Sequence, residues 1–204
     1  NYGPYRNYLG YGPTTAPLSG LSSMTGYEGG TPQEVGISLG DPAAGIATAY
    51  LLIAALIARR RTGEGQFIDT SLWEATASST AEGWTQKILT GDQPEPCGNR
   101  DPHMAPHNLY RCKGDDDWVA ISCSNDEEWR QLATLLGVDD DKFLTQPSRK
   151  AFEDELDAVI GKWTLTQDQW EVTRLLQANG IAAIPSLDAQ LLDTDPHLND
   201  RGFI

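Results

Sequence analysis

Residues 37–63 contain the signal that most restricts the fold, because they have every feature of a long apolar helix. Asp41 and Pro42 are typical of a helix start, and Arg59, Arg60 and Arg61 precede Gly63 at its end. We therefore predict a helix with Asp41 as its N-cap and Gly63 as its stop. A carboxylate there lies among unpaired backbone N–H groups at the positive end of the helix dipole. Asp41 is thus either a cap alone or a cap that also reacts.

The composition indicates a soluble globular protein and excludes several function classes. The chain has 204 residues, 39% hydrophobic residues and a net charge of −14. A nucleic-acid-binding protein would need a clustered basic face, which is lacking. The continuous apolar run from Ile46 to Ala58 is shorter than the ~20 residues that span a bilayer, so we expect no membrane segment. The first residues do not resemble a signal peptide.

The cysteines and histidines give no indication of a metal site. Three cysteines without metal-ligand spacing fit reduced thiols in a cytoplasmic protein. His103 and His107 lack a third ligand at a useful spacing, and we interpret them as surface or loop residues. The acidic runs 115–117 and 139–141 lack the pattern of a calcium loop and are predicted to be solvated turns.

The order of predicted elements indicates an α/β fold. A turn at 63–66, a strand at 67–72 and a helix over 73–90 are typical of a domain with a parallel sheet. We assign residues 1–90 to this large domain and the Pro- and Gly-rich residues 91–103 to a linker. Residues 104–192 are predicted to form a small α+β domain, with a hairpin (108–113 and 118–123), helices at 125–136, 152–163 and 167–179, and a strand at 181–185. Residues 193–204 are predicted to begin a return linker.

Several short motifs, taken in order, resemble the class III coenzyme A transferases. They are GPY at 3–5, GLSSMTG at 20–26, LGDPAAG at 39–45, RRTGEGQ at 60–66, GNR at 98–100 and DPHLNDRGF at 195–203. This family includes formyl-CoA, carnitine-CoA and bile-acid CoA transferases, and also α-methylacyl-CoA racemases. Its members are about twice as long, so the chain resembles a central segment: part of a Rossmann-like large domain followed by a small α+β domain. The resemblance also implies an interlocked homodimer for the complete protein.

The resemblance implies a function for Asp41. It falls on the family's nucleophilic aspartate, which forms a mixed anhydride with the acyl group of an acyl-CoA and then an aspartyl-CoA thioester. A carboxylic acid is the acceptor, and no permanent cofactor or metal is implied. Tyr5, Gly40, Leu72, Gly98 and Asn99 fall at positions that contact coenzyme A or line the site. The alternatives are a turn tyrosine at position 5 and a core leucine at position 72.

Three other functions remain open at this stage. A racemase of the same family would pair the aspartate with a histidine and a glutamate, whose positions correspond by eye to Pro4 and to the neighbourhood of Asn125. Neither residue can exchange an α-proton, which favours the transferase. A nucleotide-binding oxidoreductase is disfavoured because no Gly-x-Gly-x-x-Gly follows a strand. A non-catalytic partner-binding module is the third alternative.

Overall fold

The computed structural model describes residues 2–36 and 38–204, so Asn1 and Ile37, the first residue of the 37–63 segment, lie outside the described residues. The chain divides into two compact units, one up to Gly98 and one from Asn99 to Ile204. Helices predominate and the sheet is small, which gives a mixed α/β protein. The division falls within the segment 91–103.

The first unit is helical. Its helices are α1 (Gly12–Leu18), α2 (Gly40–Thr62), α3 (Leu72–Ser78) and α4 (Ala81–Thr90), with a 3-10 turn at Leu21–Met24. The predicted helix over 73–90 is divided at Ser79 and Thr80. The predicted strand at 67–72 is wrong, since residues 2–36 and 38–98 contain no strand. A strand needs a neighbour to pair with, and this part of the chain supplies none.

Helix α2 confirms the predicted helix but corrects its start. Leu39 is the N-cap residue, and Asp41 is the second helical residue. The backbone turns earlier than expected: the Asp41 N–H donates to the Ser38 carbonyl over 2.9 Å. Pro42 is tolerated there because N–H groups of the first turn have no intrahelical partner. The predicted stop is confirmed: Gly63 has φ 80°, and its N–H donates to the Arg59 carbonyl over 2.8 Å.

Most of the apolar surface of α2 is exposed within this unit. By length and composition alone, Gly40–Thr62 could cross a membrane. Only 6% of its most apolar stretch is buried by the rest of the protein. Only Gly40 and Ala44 are buried in the helix. Exposed large side chains occur along its length and around its circumference, namely Ile46, Tyr50, Leu51, Leu52, Ile53, Leu56 and Ile57. A continuous apolar surface of this kind usually lies against another protein segment or a lipid phase.

The second unit contains an antiparallel sheet in the order β1-β2-β3, which confirms the predicted hairpin and third strand. In β1 and β2, Tyr110 pairs with Val119; in β2 and β3, Ile121 pairs with Ala183. The elements are β1 (His107–Arg111), β2 (Trp118–Ser122), α5 (Asp126–Leu136), α6 (Gln146–Ala151), α7 (Glu153–Thr164), α8 (Gln169–Ala178), β3 (Ala182–Pro185), α9 (Ala189–Asp193) and α10 (Pro196–Asp200).

One hydrophobic core holds the sheet and helices of this unit together. Alternate residues of β2 point inward, as the period of a strand requires: Val119 and Ile121 are buried, and their neighbours are half-buried. Helices α5, α7 and α8 cover the same region. The main core side chains are Tyr110, Val119, Ile121, Trp129, Leu132, Phe143, Leu156, Ile160, Val172, Leu176 and Ile181.

Asn125 begins helix α5 and has a structural role there. Its Oδ1 accepts hydrogen bonds from the N–H groups of Glu127 (3.0 Å) and Glu128 (2.9 Å). The Glu128 carboxylate in turn accepts from the Ser124 N–H over 2.7 Å. These reciprocal bonds resemble a capping box and satisfy N–H groups that the helix leaves unpaired.

We expect Asn125→Ala to destabilise the second unit by ~1 kcal/mol, because the first turn of α5 loses its cap. Native-state hydrogen exchange of the α5 amides in the full-length protein would measure this change. Asn125→Ser is the matched control, since a serine hydroxyl caps nearly as well. Equal acceleration of exchange in both variants would show that the cap is not the cause.

Candidate active site

Asp41 lies in the first turn of α2 with its side chain exposed. It does not make the capping hydrogen bonds expected of an N-cap residue, a position that Leu39 occupies instead. Its carboxylate is nevertheless next to the positive end of a long helix dipole, which favours a negative charge. The side chain therefore presents a charged, accessible oxygen atom at a fixed point of the fold.

Gly40 anchors this point, because three helices meet around it. A methyl group placed on Gly40 would lie 2.6 Å from Thr15 Oγ1 of α1 and 2.8 Å from Thr76 Oγ1 of α3, so no side chain fits. Both threonines are buried, and each hydroxyl donates to a carbonyl of its own helix. The first turn of α2, including Asp41, is thus held between α1 and α3.

The start of α1 lies beside the Asp41 carboxylate. A methyl group placed on Gly12 would collide with Asp41 Oδ2 and with the side chain of Ser38. Gly12 is buried, and Ser38 is half-buried. Sequence reasoning missed both residues. A Gly-Pro pair such as that at 12–13 is typical of a turn, and no local signal places it near residue 41.

Tyr5 and Leu72, two predicted contacts of coenzyme A, lie in one neighbourhood. The Tyr5 ring packs against Trp73, with 5.8 Å between centroids, and stacks on Tyr8 at 4.8 Å. Leu72 precedes Trp73 as the first residue of α3, and its Cδ1 lies close to Gly10. Tyr5 keeps 48% of its surface exposed despite these contacts. The first unit therefore brings an exposed aromatic group to the N-terminus of α3.

Gly98 and Asn99 fall on opposite sides of the division between the units. The Gly98 N–H donates to the Gly26 carbonyl over 2.8 Å, which fixes the end of the first unit. In the second unit, the Asn99 carbonyl lies 2.7 Å from Nδ1 of His107. Both residues thus have structural contacts, and a role at the site remains a prediction for each.

The chain matches known proteins over its full length. The model of CoA-transferase family III covers residues 1–204. The chain belongs to this family. The succinyl-CoA–D-citramalate CoA-transferase of Chloroflexus aurantiacus is 32% identical over 99% of the chain and 51% of that protein. The succinate–glutarate CoA-transferase of Agrobacterium fabrum is 28% identical over 98% of the chain and 51% of that protein.

A solved structure also matches this family III chain. A CAIB/BAIF family protein from Brucella suis has a TM-score of 0.91 and 29% identity, over 98% of the chain and 54% of that protein. The chain therefore spans about half the length of the curated relatives and of the structure that it matches.

A cysteine thiolate could also act as a nucleophile, in place of the Asp41 carboxylate. Two of the thiols of this family III chain are unsuitable for that role. Burial raises the pKa of Cys112 to about 11 and that of Cys123 to about 12, so both remain protonated near neutral pH. A protonated thiol is a poor nucleophile.

Within residues 2–36 and 38–204, no group of three His, Cys, Asp or Glu side chains could hold a metal ion.

A polar cluster in the second unit has a structural explanation. Asp157 Oδ1 accepts from the Tyr110 hydroxyl over 2.6 Å, and Oδ2 accepts from Arg100 over 2.9 Å. Burial, followed by the charge and hydrogen bond of Asp157, raises the pKa of Tyr110 well above its usual value. Tyr110 therefore remains neutral and acts as a donor that ties β1 to α7.

Proposed function

We propose that the chain is part of an enzyme that transfers coenzyme A from an acyl-CoA thioester to an acceptor carboxylic acid, with Asp41 as the nucleophile. The observation that carries this proposal is the exposed carboxylate at the start of α2, held in place by the packing around Gly40. Membership of CoA-transferase family III supports it. The names of the relatives from Chloroflexus and Agrobacterium also describe CoA transfer to carboxylic acids.

The first half of the reaction loads coenzyme A onto Asp41. A carboxylate oxygen attacks the thioester carbonyl, the carbon–sulfur bond breaks, and the coenzyme A thiolate leaves a mixed anhydride on Asp41. The thiolate then attacks the aspartyl carbonyl and releases the donor's carboxylate. The product is an aspartyl-CoA thioester, which preserves an activated acyl bond between the two half-reactions.

The second half reverses these steps with the acceptor. The acceptor carboxylate attacks the aspartyl carbonyl, so that the thiolate leaves and a new anhydride forms. The thiolate attacks the acceptor's carbonyl carbon, which gives the new acyl-CoA and restores the Asp41 carboxylate. Each addition places negative charge on a carbonyl oxygen, and the backbone N–H groups and dipole of the first turn of α2 favour that charge.

Tyr5, Gly40, Leu72, Gly98 and Asn99 are proposed to contact the coenzyme A substrate. The exposed Tyr5 ring offers an apolar face beside α3, and Gly40 directly precedes the nucleophile in the chain. No permanent cofactor belongs to this mechanism, because coenzyme A arrives and leaves as part of the substrates.

The exposed face of α2 supports a proposal about the rest of the polypeptide. We propose that α2 is an internal helix of a Rossmann-like large domain, completed by further chain and by a second copy in an interlocked dimer. The matched Brucella structure is nearly twice as long as this chain, so it has additional segments that could cover such a helix. Under this proposal α2 packs against protein and does not span a membrane. We also propose that the protein is cytoplasmic.

The test is to trap the covalent intermediate on the full-length polypeptide. The protein is incubated with a panel of acyl-CoA thioesters, quenched with acid and analysed by peptide mass spectrometry. We expect a coenzyme A adduct on the peptide that contains Asp41, and none in Asp41→Ala. An adduct on a different residue, or none with any donor, would contradict the proposed nucleophile.

A further inference from the structure

We propose that Gly12 is a positioning residue for Asp41: its missing side chain leaves the space in which the nucleophilic carboxylate lies. This inference rests on the proposed function and adds a residue to it. The observation is that a Cβ added to Gly12 would overlap two groups that are distant in sequence, Asp41 Oδ2 and the side chain of Ser38.

The space at Gly12 is too small for even one methyl group. A Cβ there would lie 2.6 Å from Ser38 Oγ, and closer still to Ser38 Cβ and Asp41 Oδ2. Real Cβ atoms essentially never approach other atoms within 3.0 Å. The Asp41 carboxylate could rotate away from such a collision, but Ser38 Cβ is bonded directly to the backbone and can move only with it.

Gly12 itself has little freedom to retreat. Its carbonyl accepts a hydrogen bond from Thr15 Oγ1 over 3.0 Å. The same hydroxyl oxygen, Thr15 Oγ1, also lies against Gly40. Thr14 and Thr15 both donate their N–H groups to the Tyr11 carbonyl, which fixes the first turn of α1. Moving Gly12 away from Asp41 would therefore pull Thr15 from Gly40 and loosen the junction of the three helices.

A displaced Ser38 would move the nucleophile. The Ser38 carbonyl accepts the Asp41 N–H over 2.9 Å, so both residues belong to the turn that starts α2. A nucleophile must be close to its target and correctly oriented, and a displacement of about 1 Å can reduce a rate ~10²-fold. An added methyl group at residue 12 would thus affect Asp41 both directly and through Ser38.

Left-handed backbone strain does not enter this inference, because Gly12 is the first residue of α1 and is absent from the glycines with positive φ. Pro13 follows directly, and a Cβ on the residue before a proline disfavours the helical backbone region. Gly12→Ala therefore carries a local folding cost in addition to the collision. The melting temperature measures that cost, whereas the rate of adduct formation measures the effect on Asp41.

The experiment compares Gly12→Ala with Gly161→Ala in the full-length protein. Gly161 lies on α7 in the second unit, and a methyl group there would have no neighbour within 4 Å. We expect Gly12→Ala to slow formation of the Asp41–CoA adduct and to lower kcat by ~10–100-fold, with KM for acyl-CoA within about twofold. Gly161→Ala should match the wild type. A wild-type rate for Gly12→Ala would overturn the inference.

A double variant, Gly12→Ala with Ser38→Gly, separates position from folding. It removes the collision with Ser38 but keeps the one with Asp41 Oδ2, so we expect a recovered melting temperature and a rate that remains low. Full recovery of the rate would contradict the direct effect on Asp41. If the wild type itself forms no adduct, the proposed function fails. The positioning role of Gly12 is then tested by crystal structures of the wild type and Gly12→Ala: a displaced Asp41 Oδ2 in the variant supports it, and an unchanged position contradicts it.

Discussion

Asp41→Asn should lower the rate of coenzyme A transfer by at least ~10³-fold while the protein stays folded. Asparagine has nearly the same shape as aspartate, but its amide cannot form the anhydride that starts the reaction. Because the Asp41 side chain is exposed, we expect the free energy of unfolding to change by no more than ~1 kcal/mol, the usual value of a charge at a helix start. Steady-state kinetics with the acyl-CoA that gives the adduct, together with thermal unfolding, would measure both effects.

Glu82→Gln provides the matched control for Asp41→Asn. Glu82 is an exposed carboxylate in the first turn of α4, so it shares the local setting of Asp41 but not the junction around Gly40. Its substitution should leave transfer unchanged. Transfer by Asp41→Asn within tenfold of the wild type would refute nucleophilic catalysis by this residue. Exchange of the substrate's α-proton in D2O without an acceptor acid would favour the racemase alternative.

The second unit was predicted well because its signals are local and its partners lie within the unit. The polar turn at 114–117 joins two strands that pair with each other, and α5 ends at Leu136 as predicted. Helices α7 and α8 follow the periodic placement of buried residues such as Leu156 and Val172. Their core is closed by elements from the same stretch of chain, so the sequence contained most of what determines the fold.

The first unit was predicted less well because its elements depend on contacts beyond their own sequence. Residues 67–72 have the composition of a strand, but the described part of this unit, 2–36 and 38–98, contains no strand to pair with them. Helix α2 was recognised, whereas its start was set by the packing of Gly40 between two threonines of other helices. A capping pattern cannot report such a contact, and the tertiary packing overrides it.

The candidate site shows the same contrast. Asp41 and Gly40 belong to one short motif and were found by resemblance. The closeness of Gly12 and Ser38 to the carboxylate depends on how α1 docks against the start of α2, for which the sequence has no periodic or spacing signal. Whether Gly98 and Asn99 contact coenzyme A stays a prediction.

Arg149 is a buried charge that the sequence did not indicate, and it determines how several segments of the second unit meet. Its side chain is fully buried. Its guanidinium donates to the carbonyls of Ala105 (2.7 Å) and Phe143 (3.1 Å), and to Asp126 over 2.9 Å. The group also lies over the ring of Trp129, 5.6 Å from its centroid. One planar cation thus connects the segment before β1, the start of α5 and the turn before α6.

We expect Arg149→Met to destabilise the second unit by ~3–5 kcal/mol, although methionine is apolar and of similar length. The loss leaves the carbonyls of Ala105 and Phe143 buried without a donor, which is costlier than losing a surface ion pair. Arg149→Lys should retain only part of the stability that Arg149→Met loses, because an ammonium group cannot reproduce the planar fork of donors. Native-state hydrogen exchange of the β2 amides in the full-length protein would measure the free energy of opening.

Arg130→Met is the matched control, since Arg130 lies on α5 with 66% of its side chain exposed and pairs with Glu127 one turn away. Such a pair contributes less than ~1 kcal/mol, so β2 exchange should stay close to that of the wild type. If Arg149→Met leaves β2 exchange unchanged as well, water must replace the lost donors. If the effect is large and confined to the second unit, coenzyme A loading on Asp41 should show whether the stability of this unit is coupled to the reaction.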